Sequence, residues 1–172
     1  MRLNAQTDFS LRIMMFLAAK PGRSATIPEI SAKLDLSKDY TMRIVAKLVA
    51  KGLVASTRGR AGGVALALEP SSITVADVVT AIEPDFALVD CFDAQRRKGC
   101  SVEPACLLKG VLSSALGAFM SELRAFSLAD LTQPNQIRLA EIFRLNDPTH
   151  PIKCRVRQSS TAKRQAPIGG AC

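Results

Sequence analysis

From Thr7 to Lys20 the chain carries apolar residues at almost every helical position. Phe9, Ile13, Phe16 and Leu17 share one face, and Leu11, Met14, Met15 and Ala18 cover much of the rest. This spacing predicts a helix ended by Pro21-Gly22, and a helix apolar nearly all round predicts burial on two sides. A second helix is expected to start at Thr26 or Ile27, with Pro28 in its first turn, and to end near Leu34. Ser37 is the N-cap expected for a third helix, which runs to about Lys51 and stops at Gly52. Ile44, Val45, Leu48 and Val49 form its apolar stripe. Arg43, Lys47 and Lys51, spaced four apart, form a basic stripe on the opposite side. Leu53-Val54-Ala55 and the run from Val64 to Leu68 flank a Gly-rich tip, which reads as a hairpin. Three helices followed by a hairpin is the order of a winged helix-turn-helix.

Pro70-Ser71-Ser72 breaks this pattern. A helix from about Thr74 to Glu83 follows, ended by Pro84. After a cysteine-bearing segment, the periodicity predicts a long helix from about Pro104 to Phe126. Its stripe is Leu108, Leu112, Ala115, Leu116, Phe119, Leu123 and Phe126. Such a helix is about 30 Å long, more than one winged-helix unit can cover. It reads as a dimerisation helix, with packing inside its own protomer as the alternative. A short helix is expected from Asn135 to Leu145. From Asp147 onward the chain is polar and basic and is expected to be disordered. The predicted fold class is mainly α: an N-terminal winged helix-turn-helix with a small β-hairpin wing, then a cysteine loop and a long dimerisation helix. The expected divisions are residues 1–70, 71–146 and 147–172.

Composition narrows the function. The 172 residues are 48% hydrophobic, enough for a real core. No run of eighteen apolar residues and no signal-peptide pattern is present, so no membrane partner and a cytoplasmic location are expected. Residues 1–63 hold 11 Lys/Arg against 4 Asp/Glu, whereas residues 64–146 hold 7 against 10. A basic N-terminal third suits a polyanionic partner, against the alternative of a solvated basic surface. In a helix-turn-helix, the N-terminal residues of the second helix meet base edges in the major groove. Here these include Lys38, Tyr40, Thr41 and Arg43, with Arg43 placed to contact guanine. Lys47 and Lys51 are expected on phosphates. Arg58 and Arg60 at the wing tip are expected on phosphates or in a narrow minor groove. No catalytic constellation is found, and an enzyme is not expected.

Cys91, Cys100 and Cys106 are spaced C-x8-C-x5-C. Three thiolates within sixteen residues can face one point if the intervening chain loops. Soft sulfur donors favour zinc, copper(I) or iron–sulfur clusters. Structural zinc sites usually show a CxxC knuckle, which is absent, and the one histidine, His150, is far along the chain. The spacing suits an iron–sulfur cluster with an unusual fourth ligand; a zinc or redox-thiol site and buried cysteines without a role stay open. Cys154 and Cys172, in the basic tail, are not expected to be ligands.

At this point the residues resemble a known family, the dimeric winged-helix iron–sulfur repressors of the NsrR/IscR/RirA group, over roughly residues 1–146. The likeness is carried by Thr7-Asp8-Phe9, Leu11-Arg12 and the wing Arg58-Gly59-Arg60-Ala61-Gly62-Gly63. It continues through Thr74-Val75-Ala76-Asp77-Val78-Val79, Asp90-Cys91-Phe92, Pro104-Ala105-Cys106-Leu107-Leu108-Lys109 and Ser127-Leu128-Ala129-Asp130-Leu131. Within the group the chain looks most like the nitric oxide-sensing NsrR branch. The IscR-like branch carries a histidine where Lys109 stands. The iron-responsive RirA branch shares the wide first cysteine gap. The resemblance implies a homodimeric repressor of inverted-repeat operators that derepresses nitric oxide detoxification genes. It also implies a 4Fe–4S cluster, with 2Fe–2S as the alternative, held by Cys91, Cys100 and Cys106. Asp8 of the partner subunit matches the position of the fourth ligand in some members. The other reading of Asp8 is an exposed ion pair with Arg12 one helical turn away. An electron-transfer protein is the alternative from another class, without a flavin, nucleotide or four-cysteine motif to support it.

Overall fold

The computed structural model describes residues 3–20, 22, 24–57, 62–93 and 100–145. Helix α1, Ala5–Ala19, is the central element. Asn4 caps it by accepting from the Thr7 amide. The same Asn4 donates from its backbone and side-chain nitrogens to the two carboxylate oxygens of Glu83, each at 2.8 Å. Ile13, Met14, Phe16 and Leu17 are fully buried, as the nearly all-apolar pattern predicted. The helix packs against several others, which explains why it needs so little polar surface.

Helix α2, Ile27–Leu34, starts at Thr26 with Pro28 in its first turn. It ends at Asp35 in a left-handed conformation, φ 53°. Helix α3, Lys38–Ala50, is capped by Ser37, whose hydroxyl accepts from the Tyr40 amide. Gly52, φ 71°, turns the chain out of it. The hairpin strands are Val54–Thr57 and Gly63–Leu66. A strand that periodicity did not predict, Ser24–Ala25, adds to the other edge. In chain order these are β1, β2 and β3, and the sheet order is β1-β3-β2, antiparallel throughout. A Cβ at Gly63 would lie 2.9 Å from the Ala25 carbonyl oxygen and from Ser24 Oγ, so the close approach of β1 to β3 requires glycine there.

Helix α4, Val75–Ile82, and helix α6, Leu128–Thr132, start side by side. Each begins with a capping box, Thr74 with Asp77 and Ser127 with Asp130. A bridge between Thr74 and Ser127 joins the two starts, with Val75 N–H donating to Phe126 O and Leu128 N–H to Ile73 O, both at 2.9 Å. Between them runs α5, Leu108–Ala125, and α7, Gln136–Ile142, completes the described chain. The long helix predicted from Pro104 is shorter than expected. Glu103–Ala105 forms a separate 3-10 turn, and Cys106 is extended at φ −81°, ψ 106°. One apolar cluster joins Phe16, Ile30, Leu48 and Val54 to Ile73, Val78, Ile82, Leu128 and Phe143. The helix-turn-helix and the segment after it therefore share a core. Among the described residues no helix is long and apolar enough to cross a membrane.

Candidate nucleic-acid interface and metal centre

The angle between α2 and α3 is fixed by a short buried polar relay. Ser31 Oγ donates to Thr41 Oγ1 at 3.1 Å, and Thr41 Oγ1 donates to the Ser37 carbonyl at 3.0 Å. Thr41 is fully buried. This corrects its assignment as a base contact: its hydroxyl holds the turn, and its position within α3 faces the core.

Lys38, Met42 and Arg43 remain on the outer face of α3, with Met42 50% exposed. The Arg43 guanidinium lies 5.8 Å from the centroid of the Tyr40 ring, within cation–π range. Tyr40 in turn meets Phe9 of α1 edge-on, centroids 5.7 Å apart. Met42 lies one turn after Lys38, on the same outward side. Lys51 is exposed at the C-terminal end of the helix. Lys47 is half-exposed. Its ammonium donates to the Ile82 carbonyl at 2.9 Å and to Gln6 Oε1 at 3.3 Å. The residue sits at the junction of α3 with the end of α4 and head of α1, not on a free basic stripe. Arg58 and Arg60 lie outside the described residues, as do Cys154 and Cys172.

The three ligand positions expected from sequence lie between α4 and α5. Cys91 is in a 3-10 turn, Asp90–Phe92, and Cys106 follows the turn Glu103–Ala105. All three are free thiols; Cys91 and Cys106 are half-buried and Cys100 is exposed. As a donor set they fit an iron–sulfur cluster, because three soft thiols are present, unpaired and reachable from solvent. Geometrically, no three His, Cys, Asp or Glu side chains among the described residues converge as a metal site. Asp8 forms the ion pair with Arg12 at 2.7 Å, and half of its side chain is open to solvent. Hydrogen bonds from the side chain and then the backbone of Ser127 hold the Asp130 carboxyl below its ordinary pKa.

Beyond the cysteine segment, α5 contains no buried residue. Leu107 just before it is 85% exposed, and Leu108, Val111 and Phe126 are also exposed. Between α5 and the chain after α4 lies an open cleft of about 430 Å³, lined by Asp85, Phe86, Ala87, Phe92, Asp93 and Leu116.

Residues 3–134 match the Rrf2 family, described as an iron-dependent transcriptional regulator. The chain belongs to the Rrf2 family. It is 40% identical over 134 residues to the HTH-type transcriptional regulator NsrR of Bacillus subtilis, an alignment covering 77% of this chain and 91% of that protein. NsrR of Bacillus licheniformis is 36% identical over 132 residues, covering 76% and 92%. Among solved structures, the T. potens IscR superposes with a TM-score of 0.61 at 25% identity, covering 78% of this chain and 88% of that one. A putative transcriptional regulator from Listeria innocua superposes with a TM-score of 0.65 at 25% identity, covering 77% and 87%. This Rrf2 chain is a DNA-binding transcriptional regulator, not an enzyme.

Proposed function

We propose that this Rrf2 regulator is a cytoplasmic homodimeric repressor that holds an iron–sulfur cluster and releases its operator in response to nitric oxide, so that nitric oxide detoxification genes are expressed. One observation carries the reading. A fully packed helix-turn-helix shares its chain with three free thiols, next to a long helix that packs on α4 but fully buries none of its residues within the protomer. Resemblance to the nitric oxide-sensing branch supplies the signal, and a relative named NsrR at 40% identity supports it.

On DNA, Arg43 reads guanine in the major groove, and Met42 offers an apolar contact to a thymine methyl. Tyr40 buttresses Arg43 through its ring. Lys38 and Lys51 bind phosphates, and Arg58 and Arg60 extend the grip from the wing. The exposed Leu108 and Val111 of α5 pair with the same side of a second copy's helix, which sets the spacing of two recognition helices at about 34 Å. Cys91, Cys100 and Cys106 would hold a 4Fe–4S cluster, with Asp8 of one subunit completing the other's site. Freeing Asp8 from Arg12 costs little, because a half-exposed pair of this kind is worth roughly 0.3–0.5 kcal/mol. When bound, the cluster supplies iron that reacts with nitric oxide and a common anchor for the three thiolates. The chain's own residues link that segment to DNA. Glu83 holds the head of α1 through Asn4, and Lys47 of α3 holds the adjacent Ile82 carbonyl. A change in the path leaving α4 therefore acts on the recognition helix.

The test is a gel-shift titration of anaerobically prepared protein against nitric oxide and, separately, an iron chelator. Nitric oxide is expected to abolish operator binding while the chelator leaves it intact over the same period. Equal affinity before and after nitric oxide would contradict the proposal. The second reading, an iron-responsive repressor, is favoured by the family's iron-dependent description and by the wide first cysteine gap. In that case the chelator releases the operator.

A further inference from the structure

Helix α3 turns an acidic and a basic residue outward together. Asp39 and Arg43 stand four residues apart, the spacing at which Asp8 and Arg12 of α1 form their ion pair at 2.7 Å. In α3 that pair is not made. The Arg43 guanidinium lies over the Tyr40 ring instead, 5.8 Å from its centroid. Among the described residues no cation or hydrogen-bond donor engages the Asp39 side chain. Asp39, Met42, Arg43 and Ala46 occupy helical positions i, i+3, i+4 and i+7, and all four are exposed. Ile44, Val45 and Leu48 are buried on the other side. The carboxylate therefore opens the same stripe that carries Met42 and Arg43.

On DNA a carboxylate in that stripe has a narrow choice of partner. Phosphates repel it. In the major groove guanine shows only acceptors, and thymine shows an acceptor and a methyl group. The donors there are adenine N6 and cytosine N4, and adenine sets the acceptor N7 beside its donor. Cytosine is thus the base edge that offers a donor with no acceptor of its own next to it. Four helical residues span about 6 Å, and bases on one strand rise about 3.4 Å. A base met by Asp39 lies within about two base pairs of one met by Arg43.

We infer that Asp39 is a specificity-determining residue: it accepts a hydrogen bond from cytosine N4 in each half-site and rejects duplexes that place guanine or thymine there. The inference rests on the reading that α3 enters the major groove. Rejection follows because the wrong base leaves a desolvated charge without a partner.

The test lets the full chain, prepared without oxygen, select from a pool of randomised duplexes, beside Asp39→Ala, Asp39→Asn and Arg43→Ala variants. The wild type is expected to enrich cytosine over thymine about 10-fold at one position within about two base pairs of a guanine. Asp39→Ala should lose the cytosine preference and keep the guanine, and Asp39→Asn should exchange cytosine for adenine. Arg43→Ala should do the reverse of Asp39→Ala. Asp39 variants with wild-type preferences, beside an Arg43→Ala variant that has lost its guanine, would overturn this inference alone. An Arg43→Ala variant with unchanged preferences would remove α3 from the groove and overturn both readings. Loss of both preferences in Asp39→Asn, with a lowered thermal midpoint, would mark a structural role for Asp39 and overturn the inference as well.

Discussion

The helix-turn-helix and the segment from Cys91 through α5 differ in how far one protomer completes them. In the first, α1, α2 and α3 are packed on an apolar core, each helix is capped by its own sequence, and a buried hydroxyl relay ties α2 to α3. In the second, α5 buries no residue and the thiols are free. A surface that costs this much apolar exposure is normally covered in the working assembly. The packing of the helix-turn-helix is therefore complete within the single chain, whereas the proposed sensing role of the other half calls for a second copy and a bound group.

Mutations in the two halves should respond to different variables. The largest effect is expected in the first half. Phe16→Ala removes a fully buried ring and should cost about 3–5 kcal/mol in denaturant unfolding, independent of protein concentration. Val111→Glu, on the uncovered helix, should leave the protomer's fold intact but weaken association on the order of 100-fold, read by analytical ultracentrifugation. Wild-type association by this variant would show that α5 is not the interface. A smaller effect separates two lysines of α3. Lys51→Gln should lower the salt slope of operator binding by about 0.9, whereas Lys47→Gln should leave it unchanged while altering affinity. Equal slope losses would return Lys47 to the phosphate backbone. The smallest effect concerns the start of α6. The folded pKa of Asp130 is lowered, so its contribution to stability is present above the unfolded pKa and fades as pH falls through the folded one. The stability difference between wild type and Asp130→Asn should therefore shrink on acidification. A difference that grows at low pH would contradict the role of the capping box.

Much of the first half is legible in sequence because local signals agree there. Thr26 with Pro28, Ser37 and Gly52 mark helix boundaries by side-chain chemistry that does not depend on distant partners. Strand β1 was not legible, because two residues carry no periodicity and their pairing depends on Gly63 far along the chain. The burial of Thr41 and the inward reach of Lys47 are also tertiary facts. Helical spacing assigns them a face, but α2 and α4 decide what that face meets. Helix α6 had a readable signal in Ser127 and Asp130, three apart, yet its five residues are too few for a hydrophobic stripe. The sequence spacing of Cys91, Cys100 and Cys106 carries no geometry, and among the described residues the three thiols do not converge.

Native mass spectrometry of the full chain, prepared without oxygen, tests the central claim most directly. The account predicts a dimer with one 4Fe–4S cluster per subunit, lost from Cys91→Ser, Cys100→Ser and Cys106→Ser variants and altered in mass by nitric oxide. A colourless chain with stoichiometric zinc, or a cluster indifferent to nitric oxide, would contradict it.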